Sequence, residues 1–453
     1  MPASAQRTNA RIAPARRAAY RILMQVAAGE AHSDDLLRAP EVDALSPQDR
    51  NLTTTLVLST LRWQIALDAR IRPLLANPGA RLSREVETAL RMGAFQLLHL
   101  DRVPPHAVIN DSVELVKQGP ERGAAGLVNA ILRKIATQDR EAVPAEPGST
   151  EAIATALAHP WWMVDRWAHT YGRDAAEAIC RWDQEPAGIT LRMEDPQTAP
   201  AGLEVETGTF LACARRLVRG DVARVPEVQS GAIRIQDEGS QLVAEIAAAA
   251  APGATRVLDA CAAPGGKTAV LAERLPQAEV TAADVSRARL HAMRRWLGAR
   301  LPGIRYEVAD AATQKLEPAY DLILCDVPCS GTGTMARNPE IRHRVTEFDL
   351  QRQQKRQVAI LGATLAGLRP GGVLVYSTCS LEPEENEAVV KHAIREGYSL
   401  RPVRPIVEQL AEQGVVTEAG RERLESAVRG LFLRTMPGVH PCDGFFAAVI
   451  ERS

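Results

Sequence analysis

Apolar residues recur at helical spacing along the N-terminal part of the chain. Two of these runs contain Ala18, Ile22, Leu23 and Val26, and then Val86, Leu90, Ala94, Leu97 and Leu98. Spacings of three and four residues place such positions on one buried helix face. Helix-breaking residues separate the periodic runs, among them Pro40, Pro47, Pro73, Gly79, Pro105 and Pro120. The pattern predicts an all-helical domain over residues 1–140, with about five to seven helices packed as a bundle.

The pattern changes after this bundle. Residues 141–150 (EAVPAEPGST) contain two prolines and a glycine but no aromatic residue, a composition typical of a linker. Residues 151–235 begin with a short helical stretch and continue as a mixed segment, with strands expected near 188–193 and 231–235. We therefore expect a small mixed α/β subdomain between the bundle and the rest of the chain.

Residues 236–453 alternate short apolar runs with helical stretches. The runs are RVLDACA, EVTAADV, IRYEVAD, YDLILCDVP and GGVLVYSTCS, and Val, Ile and Leu dominate them as they do buried parallel strands. Strands that alternate with crossover helices indicate a doubly wound α/β domain. The last segment, GFFAAVIERS, predicts one more strand, added antiparallel at the edge of the sheet.

Composition and charge narrow the functional classes. The chain has 453 residues, of which 46% are hydrophobic and 24% charged, and no apolar run is long enough to span a membrane. Its seven cysteines are odd in number and fit reduced thiols in the cytoplasm better than disulfides. The formal net charge of −1 argues weakly against a nucleic-acid partner, although residues 1–140 carry 19 Lys and Arg against 14 Asp and Glu. A second basic run comprises Arg337, Arg342, Arg344, Arg352, Lys355 and Arg356.

A glycine-rich turn follows the first predicted strand of the α/β domain. It reads Asp259-Ala-Cys-Ala-Ala-Pro-Gly-Gly-Lys267-Thr268, so small residues at the start of a helix let a ligand approach backbone N–H groups. A P-loop would need glycine at Cys261, and the dinucleotide fingerprint G-x-G-x-x-G is absent. The turn is therefore expected to bind something other than a triphosphate or a pyrophosphate.

Carboxylates close three further strands of the predicted sheet. Asp284, Asp310 and Asp326 each follow one apolar run, and ligands of open α/β sheets lie at the carboxyl ends of strands. One such carboxylate can accept both ribose hydroxyls, and another can accept the amino group of adenine. The set suits S-adenosylmethionine, although a single Asp at such a position is more often a helix N-cap.

Two cysteines lie just beyond consecutive strand ends and should face the same crevice. Cys329 stands in DVPCSGTG and Cys379 in YSTCS. A buried structural cysteine is the commoner interpretation of either one. A zinc site formed with Cys261 and Cys325 is a second alternative, but no histidine is near and the C-x-x-C spacing is missing. The third interpretation is a nucleophile.

The motifs around these residues resemble those of a known family. DACAAPGGKT, DVPCSGTGT and YSTCSLEPEENE look like the signatures of the RNA cytosine-5 methyltransferases (the NOL1/NOP2/Sun family), and the likeness is greatest to bacterial members acting on 16S ribosomal RNA. PPHAVINDSVELVK and GLVNAILRKI resemble the antitermination factor NusB. The resemblance implies a Rossmann-like class I methyltransferase domain behind an all-α NusB-like domain that binds RNA.

The resemblance also implies roles for individual residues. S-adenosylmethionine would be bound by Cys261, Ala262, Ala263, Pro264, Gly265, Gly266, Lys267, Asp284, Asp310 and Asp326. Cys379 would add to carbon 6 of the cytosine so that carbon 5 can attack the methyl group, and Cys329 would assist release of the product. Asp326, protonated or hydrogen-bonded to the amino edge of the base, and Lys267 would stabilise the charge that develops on the base.

Several alternatives stay open at this point. The same chemistry could act on transfer RNA or on another ribosomal cytosine, or the chain could be a non-catalytic RNA-binding assembly factor. DNA cytosine methyltransferases carry their nucleophile in a Pro-Cys motif, which here is Pro328-Cys329, so the choice between Cys329 and Cys379 is a real question. In the helical domain, Arg16, Arg17, Arg133 and Lys134 are candidate phosphate contacts. We expect no metal, no membrane association and no obligate protein partner.

Overall fold

The computed structural model describes residues 12–138, 149–193, 200–222, 225–394 and 396–453. Backbone contacts divide the chain into two compact units. The first unit is Met1–Pro186 together with Met335–Arg344, and the second is Ala187–Thr334 together with Val345–Ser453. The chain therefore passes between the units more than once.

Helices alone build the described part of the first unit. Seven of them precede residue 136: α1 (Pro14–Ala28), α2 (Ser33–Leu37), α3 (Pro40–Asp43), α4 (Pro47–Ile71), α5 (Arg84–His99), α6 (Pro105–Lys117) and α7 (Ala125–Ile135). Their apolar faces share one core, in which Leu56, Leu90 and Leu132 are fully buried. The serine hydroxyls of Ser46 and Ser83 cap α4 and α5 by accepting backbone N–H groups.

Three further helices extend the first unit beyond the predicted bundle. They are α8 (Thr150–Ala156), α9 (Trp161–Tyr171) and α10 (Arg173–Gln184). Because α8 and α10 contact α4, the residues up to Pro186 group with the helices and not with the strands that follow. The sequence suggests a boundary at residues 141–150 instead; residues 141–148 of that expected linker lie outside the described residues.

A segment from the second half of the sequence completes the first unit. Met335–Arg344 ends in the single turn α15 (Ile341–Arg344). Arg342 is 2% exposed, and its guanidinium donates to the carbonyl oxygens of Arg62 at 3.0 Å and Ala158 at 3.2 Å. Burial lowers the pKa of Arg342 to about 10. Glu340 is 1% exposed and accepts the backbone N–H and the hydroxyl of Ser33, each at 2.9 Å.

The second unit contains a small sheet and a large one. The small sheet has the strand order β2-β3-β1-β4 and is antiparallel at each pairing. Its elements are β1 (Thr190–Met193), β2 (Glu204–Thr207), β3 (Ala214–Arg219), α11 (Pro226–Gln229) and β4 (Ile233–Ile235). The sequence predicts β1 and β4. It does not reveal β2 and β3, because most of their side chains are exposed and polar.

The large sheet carries the glycine-rich turn and the cysteines. The strands in the first half of this sheet's sequence, with the helices between them, are α12 (Glu238–Ala250), β5 (Arg256–Asp259), α13 (Gly266–Arg274), β6 (Glu279–Asp284), α14 (Arg287–Leu297), β7 (Arg305–Val308) and β8 (Tyr320–Asp326). Its second half comprises α16 (Glu347–Leu365), β9 (Leu368–Thr378), α17 (Glu387–Ala393), β10 (Tyr398–Arg401), α18 (Arg404–Glu412), α19 (Glu418–Ala427), β11 (Val428–Arg429), β12 (Phe432–Arg434) and β13 (Phe446–Arg452).

Five strands of the large sheet run parallel in the order β9-β8-β5-β6-β7. This arrangement confirms the predicted α/β, Rossmann-like fold. The chain order reverses between β5 and β8, which makes that crevice the topological switch point where ligands of such sheets bind. Apolar clusters cover both faces of the sheet, as parallel strands require.

The last strand departs from its prediction in one respect. β13 pairs antiparallel with β9, as expected, but it does not lie at the edge. On the side of β13 that faces away from β9, β12 pairs with the N-terminal residues of β13, and β10 pairs with its C-terminal residues. These partners are short and partly polar, so the sequence does not reveal that they cover the strand. None of the described helices is both long enough and apolar enough to cross a bilayer.

Candidate active site

The glycine-rich turn connects β5 to α13 at the carboxyl end of the sheet. Gly265 has φ of 112°, and a Cβ there would lie 2.8 Å from Cγ of Met293. Only glycine fits this position, on both counts. No side chain caps the start of α13, so its first N–H groups are available to a ligand. The hydroxyl of Thr268 donates to Oδ2 of Asp259 at 2.6 Å and fastens the helix to the strand end.

Asp284 lies against the same turn. Its Oδ2 accepts the N–H of Ala263 at 3.1 Å, and its Oδ1 accepts the N–H of Ser286 at 2.8 Å. Arg289 donates to the carbonyl of Ala263 at 2.5 Å from the other side. A carboxylate offers about four lone-pair positions, so Asp284 shapes the turn and still has capacity for the hydroxyls of a ligand.

Asp310 differs from the other two carboxylates in its surroundings. It lies two residues beyond β7, is exposed, and accepts the N–H of Ala312 at 3.0 Å. This is the local cap that a lone Asp at a strand end commonly forms. Of the three predicted carboxylates, Asp310 is thus the least enclosed.

Asp326 and Lys267 form an ion pair beside the turn. Nζ of Lys267 lies 2.7 Å from Oδ2 of Asp326, and the hydroxyl of Ser377 donates to Oδ1 at 2.7 Å. The ammonium also lies 5.1 Å from the ring centre of Phe445. Burial alone would lower the pKa of Lys267, but the charge and hydrogen bond of Asp326 outweigh it, so the pKa is raised. Lys267 is therefore held in its ammonium form beside the carboxylate of Asp326.

The two cysteines singled out in the sequence lie in contact. Sγ of Cys329 and Sγ of Cys379 are 3.4 Å apart, and both residues are half-buried. The hydrogen bond to Cys379, burial and the charge of Glu385 raise the pKa of the Cys329 thiol well above 9. Cys329 consequently stays protonated at neutral pH. Because only the thiolate form of a cysteine is strongly nucleophilic, Cys329 is a weak nucleophile in this state.

A buried carboxylate joins the two cysteine loops. Oε1 of Glu385 accepts the N–H of Ser330 at 2.8 Å and Nε2 of Gln357 at 3.0 Å. Oε2 accepts the hydroxyls of Ser330 and Ser380, and each of these serines directly follows one of the two cysteines. Glu385 is fully buried. We refer to these four residues as the Glu385 clamp.

The sequence alone does not identify the clamp, although it contains a signal. LEPEENE places four glutamates shortly after the strand that precedes Cys379, and a glutamate is seldom fully buried unless it has a partner. Glu382 and Glu385 are both fully buried, and nothing in the spacing tells that Glu385 is the one that bonds the two serines, because this depends on the short helical turn Pro383–Glu385.

The remaining predictions concern metals and phosphate contacts. Among the described residues, no group of His, Cys, Asp and Glu is arranged to hold a metal ion. Cys325 is buried and donates to the hydroxyl of Thr364 at 3.2 Å. The prediction that Arg16 contacts phosphate is wrong, because Arg16 is 8% exposed and bonds Asp111 at 2.8 Å and Gln96 at 2.7 Å.

The other candidate phosphate contacts keep their accessibility. Arg17, Arg133 and Lys134 are exposed on helices of the first unit. In the second basic run, by contrast, Arg342 is committed to the backbone carbonyls described above, and Arg344 donates to the carbonyl of Ala31 at 2.6 Å. Those two arginines stabilise the fold of the first unit and do not form a solvated basic patch.

Comparisons with known proteins agree with this architecture. Residues 247–451 match the family described as 16S rRNA methyltransferase RsmB/F, and residues 13–137 match the NusB family. The chain is 34% identical to "Probable ribosomal RNA small subunit methyltransferase B" of Bacillus subtilis, over 96% of this chain and 98% of that protein. It is also 34% identical to "Ribosomal RNA small subunit methyltransferase B" of Xanthomonas campestris, over 90% of each chain.

Solved structures show the same fold. The crystal structure of a protein designated PH0851 superposes with a TM-score of 0.77, covering 98% of this chain and 99% of that one at 22% sequence identity. The likeness extends over both the helical part and the methyltransferase part.

Proposed function

This chain belongs to the RsmB/F family of 16S rRNA methyltransferases, and from that premise we propose that it methylates carbon 5 of a cytosine in 16S ribosomal RNA through a covalent adduct with Cys379. Membership supports the broader statement that it is an S-adenosylmethionine-dependent ribosomal RNA methyltransferase. The observation that carries the finer proposal is the contact of two thiols, 3.4 Å apart, beside a charged Lys267–Asp326 pair.

The glycine-rich turn fits S-adenosylmethionine. Its uncapped helix start can donate to a carboxylate, and Asp284 retains lone pairs for ribose hydroxyls. A Cβ at Gly265 would lie 2.8 Å from Cγ of Met293, and one at Gly266 would lie 3.1 Å from the amide carbon of Gln236, so glycine is what allows the turn to pack this tightly. When bound there, the sulfonium supplies an electrophilic methyl group. Cys261 to Lys267, Asp284, Asp310 and Asp326 are the residues that we assign to its binding.

The two cysteines receive different roles. We assign the nucleophile to Cys379: its sulfur bonds to carbon 6 of the cytosine, and the electron pair of the 5,6 double bond makes carbon 5 nucleophilic toward the methyl carbon. The carbon 5 proton passes to solvent water, the 5,6 double bond re-forms, and the bond between sulfur and carbon 6 breaks, so that Cys379 leaves as a thiolate. Cys329 lies in contact with Cys379 and bears a proton, so we assign it to donate that proton to the departing thiolate.

Lys267 and Asp326 are assigned to the base. Addition of the thiolate places negative charge on the N3 and O2 side of the ring, and a fixed ammonium in a partly buried site stabilises such charge strongly. Asp326, held by Ser377 as well as by Lys267, is positioned to accept a hydrogen bond from the amino group of cytosine. No metal is required for any of these steps.

We also propose that the protein works in the cytoplasm and that its helical unit helps to bind the RNA. Arg17, Arg133 and Lys134 are the candidate phosphate contacts that the structure leaves exposed. A non-catalytic assembly factor is the second candidate function. It is disfavoured because both cysteines, the Lys267–Asp326 pair and the glycine-rich turn are all intact.

The deciding experiment compares wild type, Cys379→Ser and Cys329→Ser on a small-subunit ribosomal RNA transcript with methyl-labelled S-adenosylmethionine. We expect 5-methylcytidine from wild type, none from Cys379→Ser, and a covalent protein–RNA adduct on a denaturing gel from Cys329→Ser. Cys213→Ser is the matched control, because Cys213 is also half-buried but lies on the small sheet side of the unit. Methylation by Cys379→Ser but not by Cys329→Ser would reverse the two roles. If wild type labels no cytidine, the result favours a non-catalytic assembly factor.

A further inference from the structure

One helix of the second unit presents an aromatic ring to solvent. Phe348, in the first turn of α16, is 71% exposed. The capping box at this helix start is formed by Thr346 and Asp349, and the first apolar residue that enters the core is Leu350. Neither the cap nor the core therefore uses Phe348, and nothing in the fold of α16 explains an aromatic side chain at this position.

Basic side chains extend from this ring along the same helix face. Arg352, Lys355 and Arg356 follow Phe348 at intervals of four, seven and eight residues, as residues on one face of a helix do. We call these four residues the α16 surface. Arg352 is held in place by Asp349 at 2.7 Å. Within the described part of the chain, Lys355 and Arg356 make no ion pair, and both are exposed.

The buried face of α16 is attached to the active site. Gln357 is fully buried and donates to the carbonyl of Pro328 at 3.0 Å, and also to Glu385 of the clamp. Pro328 directly precedes Cys329. Phe348 lies about two and a half helical turns from Gln357 along the axis. The surface is thus part of a rigid element that is fixed to the loop of the catalytic thiols.

We propose that the α16 surface binds single-stranded RNA next to the target cytosine. Phe348 stacks on one base, and Lys355 and Arg356 contact phosphates. This inference rests on the proposed function, since it takes RNA as the substrate. An exposed ring beside uncommitted cations is the combination by which proteins hold unpaired nucleotides without reading their sequence.

The test separates stacking, charge and fold. Phe348→Leu keeps an apolar side chain but removes the ring, and Phe348→Tyr keeps the ring. Binding of a 16S ribosomal RNA transcript is measured by filter retention over a series of salt concentrations, and kcat and KM for that transcript are measured by methyl transfer. We expect Phe348→Leu to weaken binding and raise KM by about 5- to 150-fold, as removal of one stacked base does, while Phe348→Tyr stays close to wild type.

Charge is tested by the double variant Lys355→Gln, Arg356→Gln. The slope of log affinity against log salt should fall by about 0.7 for each phosphate that the variant no longer neutralises. Arg423→Gln on α19 is the matched control, because it removes an exposed arginine of the same unit away from α16.

The proposal is wrong if wild type methylates the transcript and Phe348→Leu has unchanged affinity and KM. A change of oligomeric state in Phe348→Leu with unchanged RNA affinity would identify the surface as a protein-binding one and overturn the proposal. Failure of wild type to methylate would count against the proposed function instead.

Discussion

Removing the carboxylate of the Glu385 clamp should disturb the relative position of Cys329 and Cys379, the two cysteines that we propose to be catalytic. Its carboxylate accepts four hydrogen bonds, two of them from the backbone and side chain of Ser330. In Glu385→Gln, the amide oxygen can keep Ser330 N–H and Gln357, and the amide nitrogen can donate to the two serine hydroxyls. In Glu385→Ala, all four donors lose this acceptor, although Gln357 keeps its bond to the carbonyl of Pro328 and the two serine hydroxyls keep their contact with each other.

The two variants should therefore differ in size of effect. Hydrogen bonds to a charged group contribute about 1.5–3 kcal/mol and neutral ones about 0.5–1.5 kcal/mol, so the glutamine should cost roughly 1–3 kcal/mol of local stability. The alanine leaves donors such as the N–H of Ser330 without this acceptor, and each buried donor left unsatisfied costs about 1–3 kcal/mol. Misplacing reacting groups by about 1 Å can lower the rate about 100-fold. We expect a loss in kcat of that order for alanine and about tenfold or less for glutamine, with KM for S-adenosylmethionine unchanged.

A second readout tests the electrostatic part of this reasoning. The charge of Glu385 is one of the causes that raise the pKa of Cys329, so Glu385→Gln should lower that pKa. The rate of Cys329 alkylation, followed by peptide mass spectrometry between about pH 7 and pH 10, should then rise at lower pH than in wild type. Glu412→Gln, at the exposed end of α18, serves as the control. Wild-type kcat in Glu385→Ala, together with an unshifted alkylation profile in Glu385→Gln, would refute the clamp as a positioning device.

Two further predictions concern buried charges. Burial raises the pKa of Asp259 to about 7. The stability that Asp259 contributes is therefore present below about pH 4 and is lost as the pH rises through about 7. Asp259→Asn should make the urea midpoint less dependent on pH between about 5 and 8, and an unchanged dependence would contradict this. Arg16→Ala should leave Asp111 buried without its partner and cost the helical unit about 3–5 kcal/mol in chemical denaturation. Arg17→Ala is its exposed control, and near-wild-type stability of Arg16→Ala would show that the pair is dispensable.

Local sequence patterns are sufficient to predict the large elements of the fold. The apolar runs that become β5, β6, β8 and β9 are mostly buried, and their composition alone identifies them as parallel strands. The motif residues also converge, because strand ends of one sheet meet at one edge. Cys329 and Cys379 follow the ends of the neighbouring strands β8 and β9 in this way, and the register Asp326↔Ser377 brings the two cysteines together.

Features that depend on distant contacts could not be predicted. Arg16 and Arg17 are adjacent in sequence, yet Arg16 is buried and Arg17 is exposed; the partners of Arg16, Gln96 and Asp111, lie 80 and 95 residues away along the chain. The same holds for Glu385, whose inward direction is set by three loops. The strands β2 and β3 lack an apolar pattern because many of their side chains are polar and exposed, whereas those of β1 and β4 in the same sheet are mostly buried.

The segment Met335–Arg344 has a consequence for dissecting this protein. A gene fragment ending at residue 186 would encode the helices but omit the ten residues whose Glu340 and Arg342 lie buried among them. The complementary fragment would carry Glu340 and Arg342 without Ser33, Arg62 and Ala158, which form hydrogen bonds with them. Neither fragment contains all the residues that its fold uses. The helical unit therefore cannot be exchanged, by evolution or by an engineer, through a cut at a single point in the chain.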